Sequence, residues 1–351
     1  MADTVRVHKV ASVVYRLELD KEVEITSRLE ARSGNAVVVR ALNEKRVYGE
    51  LELENGRMSK IFRGDVLVGA LGRRRALRGF TGEVPREVEV GDVLALLNRG
   101  GVIGARARDH KDLGPPVSCE VLGMAVRNGS ILNVADARLP PVRGLAELDL
   151  PPIVVVSGSA MESGKTLFLS ELTQELSKAG MSIAGGKLTG IACLRDLVSL
   201  EDHGAVRTAS FLDAGYPSTA GLDGDELADL SKAVIGDLVA DRPDFVFLEL
   251  GDAVIGDYGG LHILTDPEIS AATRMHVFCA SDLVGAWGGS RYLSEHDVAI
   301  DLFSGPATDN ETGVDYLEAE FGKPAINAYR SPERLAEVVL RHLGLEAEKG
   351  R

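Results

Sequence analysis

The strongest chemical signal in the sequence is a loop of small residues that ends in a lysine and a hydroxyl residue. An apolar run, Ile153 to Val156, leads into Ser157-Gly158-Ser159-Ala160-Met161-Glu162-Ser163-Gly164-Lys165-Thr166, and a helical pattern follows. Small residues let backbone N–H groups turn inward around a phosphate, and a helix start adds the positive end of its dipole. Lys165 would reach the β and γ phosphates of a nucleotide, and Thr166 would bind Mg²⁺. We predict that residues 158–166 bind a nucleotide or phosphate; the alternative is a glycine-rich turn without a ligand.

A carboxylate follows a later apolar run. Glu249 lies in Phe247-Leu248-Glu249-Leu250-Gly251-Asp252, where we expect a strand to end. A carboxylate at the C-terminal edge of a parallel strand beside the loop is well placed to hold Mg²⁺, directly or through water. We therefore predict that Glu249 binds the metal or positions a water molecule; a structural strand-end charge is the alternative.

Apolar strands alternate with amphipathic helices around these residues. This order predicts a parallel sheet covered on both faces, as in α/β proteins. The predicted helices are 165–179 and 224–240, with Gly180 ending the first. The predicted strands are 153–157, 181–187, 244–250, 275–280, 298–304 and 325–328.

The N-terminal part has strand periodicity instead. Runs such as Tyr15 to Asp20 and Tyr48 to Leu53 alternate apolar with polar residues, and turn residues separate them. This pattern predicts an all-β barrel or sandwich. A basic cluster, Arg73-Arg74-Arg75-Ala76-Leu77-Arg78, is either a solvated loop or a contact for an anion or a partner.

Two proline pairs, Pro140-Pro141 and Pro151-Pro152, indicate where the domains divide. Proline at both ends favours an extended connector. The predicted organisation is therefore a β-rich domain over residues 1–139, a linker over 140–152, an α/β domain over 153–344 and a flexible tail over 345–351.

The spacing from Gly158 to Gly164, followed by Lys165 and Thr166, resembles that of dethiobiotin synthetase and the cobyrinic acid amidating synthases. These belong to the class of P-loop proteins that includes the signal-recognition, Min and biotin enzymes. The usual form G-x-x-x-x-G-K-[ST] would place glycine at 159, where this chain has Ser159. The resemblance covers residues 152–343 and implies a parallel-sheet P-loop NTPase domain.

The same resemblance implies two further site residues. Within Gly186-Lys187-Leu188-Thr189-Gly190, Lys187 stands where the family has a lysine that enters its substrate site. It is therefore expected to contact substrate or phosphate, with a solvated strand end as the alternative. The family also has an aspartate in the region of Asp196, which implies a second carboxylate facing the metal; a solvated helix charge is the alternative.

Charge is divided unevenly along the chain, which has 351 residues and a net charge of −14. Residues 1–150 carry 24 basic and 21 acidic side chains, whereas residues 151–351 carry 15 and 32. So acidic a surface argues against general nucleic-acid binding, because phosphates would be repelled.

Cysteine spacing and hydropathy bear on location. Cys119, Cys193 and Cys279 are far apart, which indicates neither a disulfide framework nor a zinc site. No run approaches the roughly 20 apolar residues that span a bilayer. We therefore expect a cytoplasmic protein without a membrane segment.

These features predict a Mg²⁺-dependent NTP-binding enzyme that activates a small carboxylate or amine by phosphoryl transfer, a P-loop ATPase of ligase or kinase type. Lys165, Lys187 and Glu249 are the predicted catalytic residues. The predicted metal ligands are Thr166, Glu249 and Asp196. ATP is favoured over GTP because no [NT]-K-x-D stretch of the guanine-recognising kind occurs.

Two other functions stay open at this point. One is a regulatory or assembly NTPase whose protein partner binds the N-terminal β domain. The other is an N-acyltransferase whose P-loop holds the phosphates of coenzyme A. The sequence also leaves a homodimer open.

Overall fold

A computed structural model describes residues 3–77, 79–108 and 111–345. The predicted tail lies outside the described residues except for Leu345, and so does Arg78 of the basic cluster. The chain divides into two compact units. The first comprises Met1–Leu139, Ile191–Arg195 and Phe211–Ala220, and the second comprises Pro140–Gly190, Asp196–Ser210 and Gly221–Arg351.

The first unit is built from short strands and two 3-10 turns, Ser12–Leu17 and Val134–Ala137. Its strands are β1 (Asp3–Arg6), β2 (Lys9–Val10), β3 (Glu22–Thr26), β4 (Ala36–Ala41), β5 (Glu50–Glu52), β6 (Met58–Lys60), β7 (Val66–Leu71), β8 (Arg74–Arg75), β9 (Thr81–Glu83), β10 (Val93–Leu96), β11 (Val102–Arg108), β12 (Ser118–Arg127) and β13 (Ser130–Ile131).

Pairings among five of these strands close a ring. β12 pairs with β4, β4 with β7, β7 with β11, β11 with β10, and β10 again with β12. Closure leaves no free edge among these strands, as in a small barrel. The predicted β-rich, barrel-like N-terminal unit is therefore confirmed.

A two-stranded hairpin of β5 and β6 departs from the predicted alternation. Alternation in the run from Tyr48 to Leu53 would place glutamates outside and leucines inside. Leu51 and Glu52 are instead both buried, at 1% and 0% exposure. A carboxylate is rarely buried without bound partners.

The elements after Leu139 begin with a 3-10 turn, Leu145–Glu147, and include a second, Pro306–Thr308. The strands are β14 (Ile153–Gly158), β15 (Ile183–Thr189), β16 (Arg207–Ser210), β17 (Phe245–Leu250), β18 (Thr273–Cys279) and β19 (Leu302–Ser304). The helices are α1 (Lys165–Lys178), α2 (Arg195–Asp202), α3 (Gly224–Leu238), α4 (Gly260–Thr265), α5 (Pro267–Ala272), α6 (Leu283–Ser294), α7 (Glu311–Phe321) and α8 (Pro332–His342).

The strands of the second unit form one sheet in the order β16-β15-β17-β14-β18-β19. Every adjacent pair is parallel. The predicted parallel sheet is therefore confirmed. β14 lies in its interior, so Val154, Val155 and Val156 are completely buried.

Two edge segments differ from the predicted strands. Arg207–Ser210 forms the edge strand β16, which the sequence analysis missed because the run is short and largely polar. Residues 325–328 do not form a strand, since they contribute a single bridge between Ala325 and Phe303. Pro324 has no N–H group with which to extend that pairing.

Helix α1 packs on the sheet through one apolar face. Phe168, Leu169, Leu172 and Leu176 recur at helical spacing and are buried against strand residues. The helix ends at Lys178, and Gly180 has a φ of +86°. A left-handed glycine just after the last turn is the usual helix stop, so the predicted end of this helix is confirmed to within one residue.

The segment predicted as a linker, residues 140–152, belongs to the second unit. Its 3-10 turn buries Leu145, and the N–H group of Leu145 donates to Oε2 of Glu268 at 2.8 Å. Glu268 also accepts from Nζ of Lys232 on α3 at 2.5 Å. The connector is thus fastened to α3 and α5.

Within the described residues, no helix is both long and apolar enough to cross a membrane.

Candidate functional site

The loop between β14 and α1 emerges at the C-terminal edge of the sheet. β14 lies between β17 and β18, and the chain places later strands on both sides of it. In open α/β sheets, ligands bind at this kind of switch in strand order. The loop turns sharply into α1 at Gly164, which has a φ of +92°, a conformation that favours glycine.

Gly158 explains why the glycine stands one residue earlier than in the usual motif. A Cβ atom at this position would collide with Oγ of Ser163 and lie 2.8 Å from the carbonyl oxygen of Cys279. Ser159 takes the next position, where its Oγ accepts from the N–H of Ser281 at 3.0 Å. The longer loop is therefore closed by a strand-end glycine and a serine bound to the segment after β18.

Lys165 is the first residue of α1, and its amine turns back into the loop. The side chain donates from Nζ to the carbonyl oxygen of Ala160 at 2.9 Å and to that of Asp252 at 2.6 Å. Lys165 is only 4% exposed. Burial lowers the pKa of its amine, and the nearby Glu249 carboxylate opposes that shift. A buried amine bound by neutral oxygens is well suited to bind an anion.

Thr166, Glu249 and Lys187 form a continuous polar group beside this amine. The Thr166 hydroxyl donates to Oε2 of Glu249 at 2.7 Å. The other oxygen, Oε1, lies 3.5 Å from Nζ of Lys187. Lys187 and Glu249 are register partners on β15 and β17, so their side chains leave the sheet on the same face. Strand pairing thus places the two side chains next to each other.

Asp196, the second residue of α2, forms an ion pair with Lys187. Lys187 therefore lies between two carboxylates, those of Asp196 and Glu249. With Lys165, the group has two amines and two carboxylates, and it is close to neutral overall.

The hydroxyl of Thr166 and the carboxylate of Glu249 fit a magnesium ion. Both are hard oxygen donors, and their hydrogen bond shows that they can face one point. In the part of the chain that the structure describes, no three His, Cys, Asp or Glu side chains are grouped as a metal centre. Mg²⁺ would thus take its other ligands from phosphate oxygens and water, which is its usual mode in phosphate sites.

The segment after β17, residues 251–259, lies directly on the phosphate loop. The N–H of Val254 donates to the carbonyl oxygen of Gly158 at 2.9 Å, and Lys165 bonds to Asp252. Asp252 has a φ of +66°, which is uncommon for a residue other than glycine. The conformation of this segment is thus linked to the position of the Lys165 amine.

A buried histidine on β18 contacts the end of β14, just before the loop. His276 on β18 has Nε2 2.7 Å from Oγ of Ser157 and Nδ1 2.8 Å from the carbonyl oxygen of Ala299. Burial lowers the pKa of His276, which favours the neutral ring. A carbonyl oxygen can only accept, so Nδ1 carries the proton and the Ser157 hydroxyl donates to Nε2. Sequence reasoning missed this pair because the two residues lie 119 positions apart in the chain.

Gly305, another residue that sequence reasoning missed, packs on the opposite side of the loop. A Cβ atom there would collide with the carbonyl oxygen of Ser163, and the Gly305 Cα lies 3.2 Å from a Cβ built on Gly164. The signal in the sequence was a glycine after Leu302-Phe303-Ser304, a pattern that also occurs at ordinary turns.

The predicted site residues thus occupy one region of the second unit. Lys165, Thr166, Lys187 and Glu249 are linked through the contacts above. Asp196 joins the group through Lys187, and its predicted role as a metal ligand stays a prediction. The roles assigned to residues 158–166 are likewise predictions that rest on the loop geometry.

The basic cluster of the first unit is largely satisfied internally. Arg73 and Arg75 both pair with Glu83, at 2.5 and 2.8 Å. Arg74 is 3% exposed and donates to the Tyr48 hydroxyl. A partner surface at this cluster stays a prediction.

A strand, a glycine-closed loop and a helix that begins with lysine and threonine together define a P-loop α/β fold. No protein-family model matches the chain. No curated protein matches it in sequence.

Several solved structures show a partial likeness. Chloroplast FtsY from Physcomitrella patens is 14% identical with a TM-score of 0.38, over 55% of this chain and 62% of that one. Signal recognition particle 54 kDa protein from Aeropyrum pernix, in complex with GDP, is 17% identical with a TM-score of 0.38, over 56% and 47%. A DUF1611 family protein from Anabaena variabilis is 16% identical with a TM-score of 0.40, over 63% and 66%.

The matches span less than two thirds of the length of each of these three proteins. At such TM-scores the likenesses assign no family to the chain, and the functional argument rests on its own residues.

Proposed function

We propose that the protein binds a nucleoside triphosphate with Mg²⁺, ATP by preference, and uses it to activate a small carboxylate or amine by phosphoryl transfer. The observation that carries the proposal is Glu249, whose two oxygens face the Thr166 hydroxyl and the Lys187 amine. One carboxylate thereby joins a metal-binding hydroxyl of the loop to a cation that can hold a second substrate.

The loop supplies what a triphosphate needs. The first N–H groups of α1 have no partners within the helix, and they carry the positive end of its dipole. The Lys165 amine adds a full charge inside the loop. On binding, this amine would exchange the carbonyl oxygens of Ala160 and Asp252 for phosphate oxygens, which are stronger acceptors.

Thr166 and Glu249 are the residues that would hold Mg²⁺. When bound, the ion would neutralise part of the charge on the phosphates. Glu249 would bind it directly or through a water molecule.

Lys187 would orient the substrate. The Lys187 side chain is 13% exposed, and its amine lies in the same polar group as Thr166 and Glu249. A substrate carboxylate held there could attack the γ-phosphorus through one oxygen. The bond from phosphorus to the β–γ bridging oxygen would break, leaving an acyl phosphate and a nucleoside diphosphate. Catalysis of this kind is mainly positioning and charge stabilisation.

One observation favours a second function, a regulatory NTPase. Lys165 and the phosphate loop hold residues 251–259 through Asp252 and Val254. A nucleotide that draws the amine away would release one of these two bonds. Such a segment could report the nucleotide state to a protein partner.

Thermal unfolding with different ligands tests the proposal. ATP, GTP and acetyl-coenzyme A, each with and without Mg²⁺, are compared on the full chain. A ligand present at a hundred times its Kd stabilises the folded state by about 2.7 kcal/mol. We expect the largest rise in Tm with ATP and Mg²⁺ together, and only a small rise in Lys165→Ala.

Lys178→Ala is the matched control, because Lys178 is an exposed lysine at the other end of α1. It should respond to ligand as the parent does. If no nucleotide shifts the Tm of the parent, or if Lys165→Ala responds equally, the proposal is wrong. ATP turnover that requires a small acid or amine supports the enzyme, whereas turnover raised only by a protein supports the regulatory function.

A further inference from the structure

Glu52 is a fully buried carboxylate in the first unit whose partners are backbone N–H groups and a thiol. Oε2 accepts from the N–H of Leu194 at 2.7 Å. Oε1 accepts from the N–H of Arg195 at 2.9 Å and from Sγ of Cys193 at 3.0 Å. Both oxygens are thus bound by the segment Ile191–Arg195, which belongs to the same unit as Glu52.

These N–H groups stand at the start of helix α2, which begins at Arg195. The first turn of a helix leaves its N–H groups without partners in the helix, and a side chain oxygen just before it usually accepts them. The residues before α2 are Ala192, Cys193 and Leu194, which offer no such oxygen. Glu52 therefore supplies the cap from a position 142 residues away from Leu194.

The next residue of the same helix is Asp196, the partner of Lys187. Its position depends on where α2 starts, because the chain between Lys187 and α2 leaves β15 through a glycine, Gly190, with a φ of +131°. A glycine in that conformation does not by itself fix the direction of the following segment. Backbone contacts of Ile191 with Ser218 and of Ala192 with Pro217, and a bond from Asn98 to the Ala192 carbonyl oxygen, hold the first part of this segment. The carboxylate of Glu52 holds its last part, since it binds the two consecutive N–H groups at the start of α2.

We propose that Glu52 is a positioning residue for the Lys187–Asp196 pair. By binding the N–H groups of Leu194 and Arg195, it fixes the start of α2 and so holds Asp196 against the Lys187 amine. The inference rests on the substrate-orienting function proposed for Lys187.

The test is a pair of measurements on the full chain that need no substrate. Competitive acetylation with acetic anhydride, followed by mass spectrometry, gives the reactivity of each lysine. Hydrogen exchange gives the local opening of residues 193–199. Glu52→Gln is the main variant, because it keeps the side chain's size while replacing one acceptor oxygen by an NH₂ group. Asp196→Asn serves as the reference for a Lys187 that has lost the Asp196 carboxylate but keeps that of Glu249.

In Glu52→Gln we expect exchange at residues 193–199 to rise roughly 5- to 30-fold, the effect of losing a helix cap. Lys187 should become more reactive, approaching its reactivity in Asp196→Asn. Lys165 should keep its parent reactivity, because its contacts are made with Ala160 and Asp252. Glu54→Gln, which removes an exposed carboxylate two residues away, should change neither quantity.

A merely structural role would give a different pattern. General loosening would raise the reactivity of other lysines of low exposure, such as Lys9 and Lys232, together with that of Lys187. That result would overturn the proposal, and so would faster exchange at 193–199 with unchanged Lys187 reactivity. If Glu52→Gln does not fold, Glu52→Asp, which keeps both acceptor oxygens on a shorter side chain, is judged by the same readouts.

The outcome is separate from that of the proposed function. Lysine reactivity and exchange report the geometry whether or not a nucleotide binds. If ATP does not raise the Tm of the parent, the proposed function is wrong, but the measured effect of Glu52 on the position of Asp196 still holds. Unchanged Lys187 reactivity would overturn the positioning role alone.

Discussion

Lys165 and Glu249 show how single residues set the chemistry of the site. Both are buried to 4% exposure, and charged side chains that deeply buried need specific partners. Lys165 finds carbonyl oxygens, and Glu249 finds a hydroxyl and an amine. Such an arrangement can exchange its internal partners for phosphate and magnesium without leaving a charge unpaired.

Thr166 should carry the magnesium dependence of ligand binding. Thr166→Val keeps the shape of the side chain but removes the oxygen that faces Glu249. We expect it to lose most of the additional rise in Tm that Mg²⁺ gives with ATP. Thr166→Ser keeps the hydroxyl and should retain that increment. Equal Mg²⁺ increments in the two variants would show that Thr166 is not a metal ligand.

Lys187 should affect the second substrate rather than the nucleotide. In Lys187→Ala, the Tm response to ATP with Mg²⁺ should stay within the range of the parent, while substrate-dependent turnover falls by about 100-fold or more, as expected when an orienting group is lost. Lys187→Arg keeps the positive charge, so it should recover part of the lost substrate-dependent turnover. A Lys187→Ala variant with normal turnover would place the substrate elsewhere.

The phosphate loop, taken as an element, depends on close backbone approach. Gly158→Ala would force a Cβ atom against Ser163 and Cys279. We expect it to lower the Tm and weaken the response to ATP, because the loop must shift. A Cβ atom added at Gly288 on α6 would have no neighbouring atom within 4 Å. Gly288→Ala should therefore raise the Tm slightly, because alanine has the higher helix propensity. Thermal unfolding of both variants checks the contrast, and equal effects would contradict it.

The fastening of the connector to α3 and α5 should make stability depend on pH. The Lys232 amine and then the Leu145 N–H lower the pKa of Glu268. Because the folded pKa lies below the unfolded one, this stabilisation is present above the unfolded value and is lost as pH falls through the folded value. We therefore expect the free energy of unfolding, measured with denaturant, to fall less between about pH 6 and pH 3 in Glu268→Gln than in the parent. Glu320→Gln, at an exposed position on α7, should keep the parent's slope; a parent-like slope in Glu268→Gln would contradict the prediction.

At the same scale, sequence patterns predicted some elements and missed others. β14, the phosphate loop and α1 were predictable, because apolar periodicity, small residues and Lys165 all act within one local stretch. The strand Arg207–Ser210 was not, since a short edge strand needs little apolar surface and is defined by its pairing with β15. The β-strand propensity of the individual residues does not predict that pairing.

For the molecule as a whole, the limits of sequence reasoning have one physical cause. The partners of Glu52 and His276 lie far away in sequence, so the local sequence around each residue does not predict its contacts. The alternating run around Glu52 even indicated the opposite face. Glu249 was found because parallel strands bring their C-terminal ends to one edge, which is a rule of the fold rather than of local sequence. Lys187 was found only through the resemblance to dethiobiotin synthetase.

The distribution of charge also belongs to this scale. The net charge of −14 comes from the C-terminal half, which holds the phosphate loop. The overall field therefore opposes an approaching nucleotide. Under the proposed function, attraction would come from Lys165, the N–H groups of α1 and Mg²⁺, and binding would depend most on Lys165.

Calorimetric titration of the full chain with ATP and Mg²⁺ tests this claim most directly. The account predicts one ATP bound per chain, and an affinity that falls by about 100-fold or more in Lys165→Ala, the loss expected when a buried charge–phosphate contact is removed. Lys178→Ala should bind as the parent does. Absence of binding in the parent, or equal affinity in the parent and Lys165→Ala, would contradict the account.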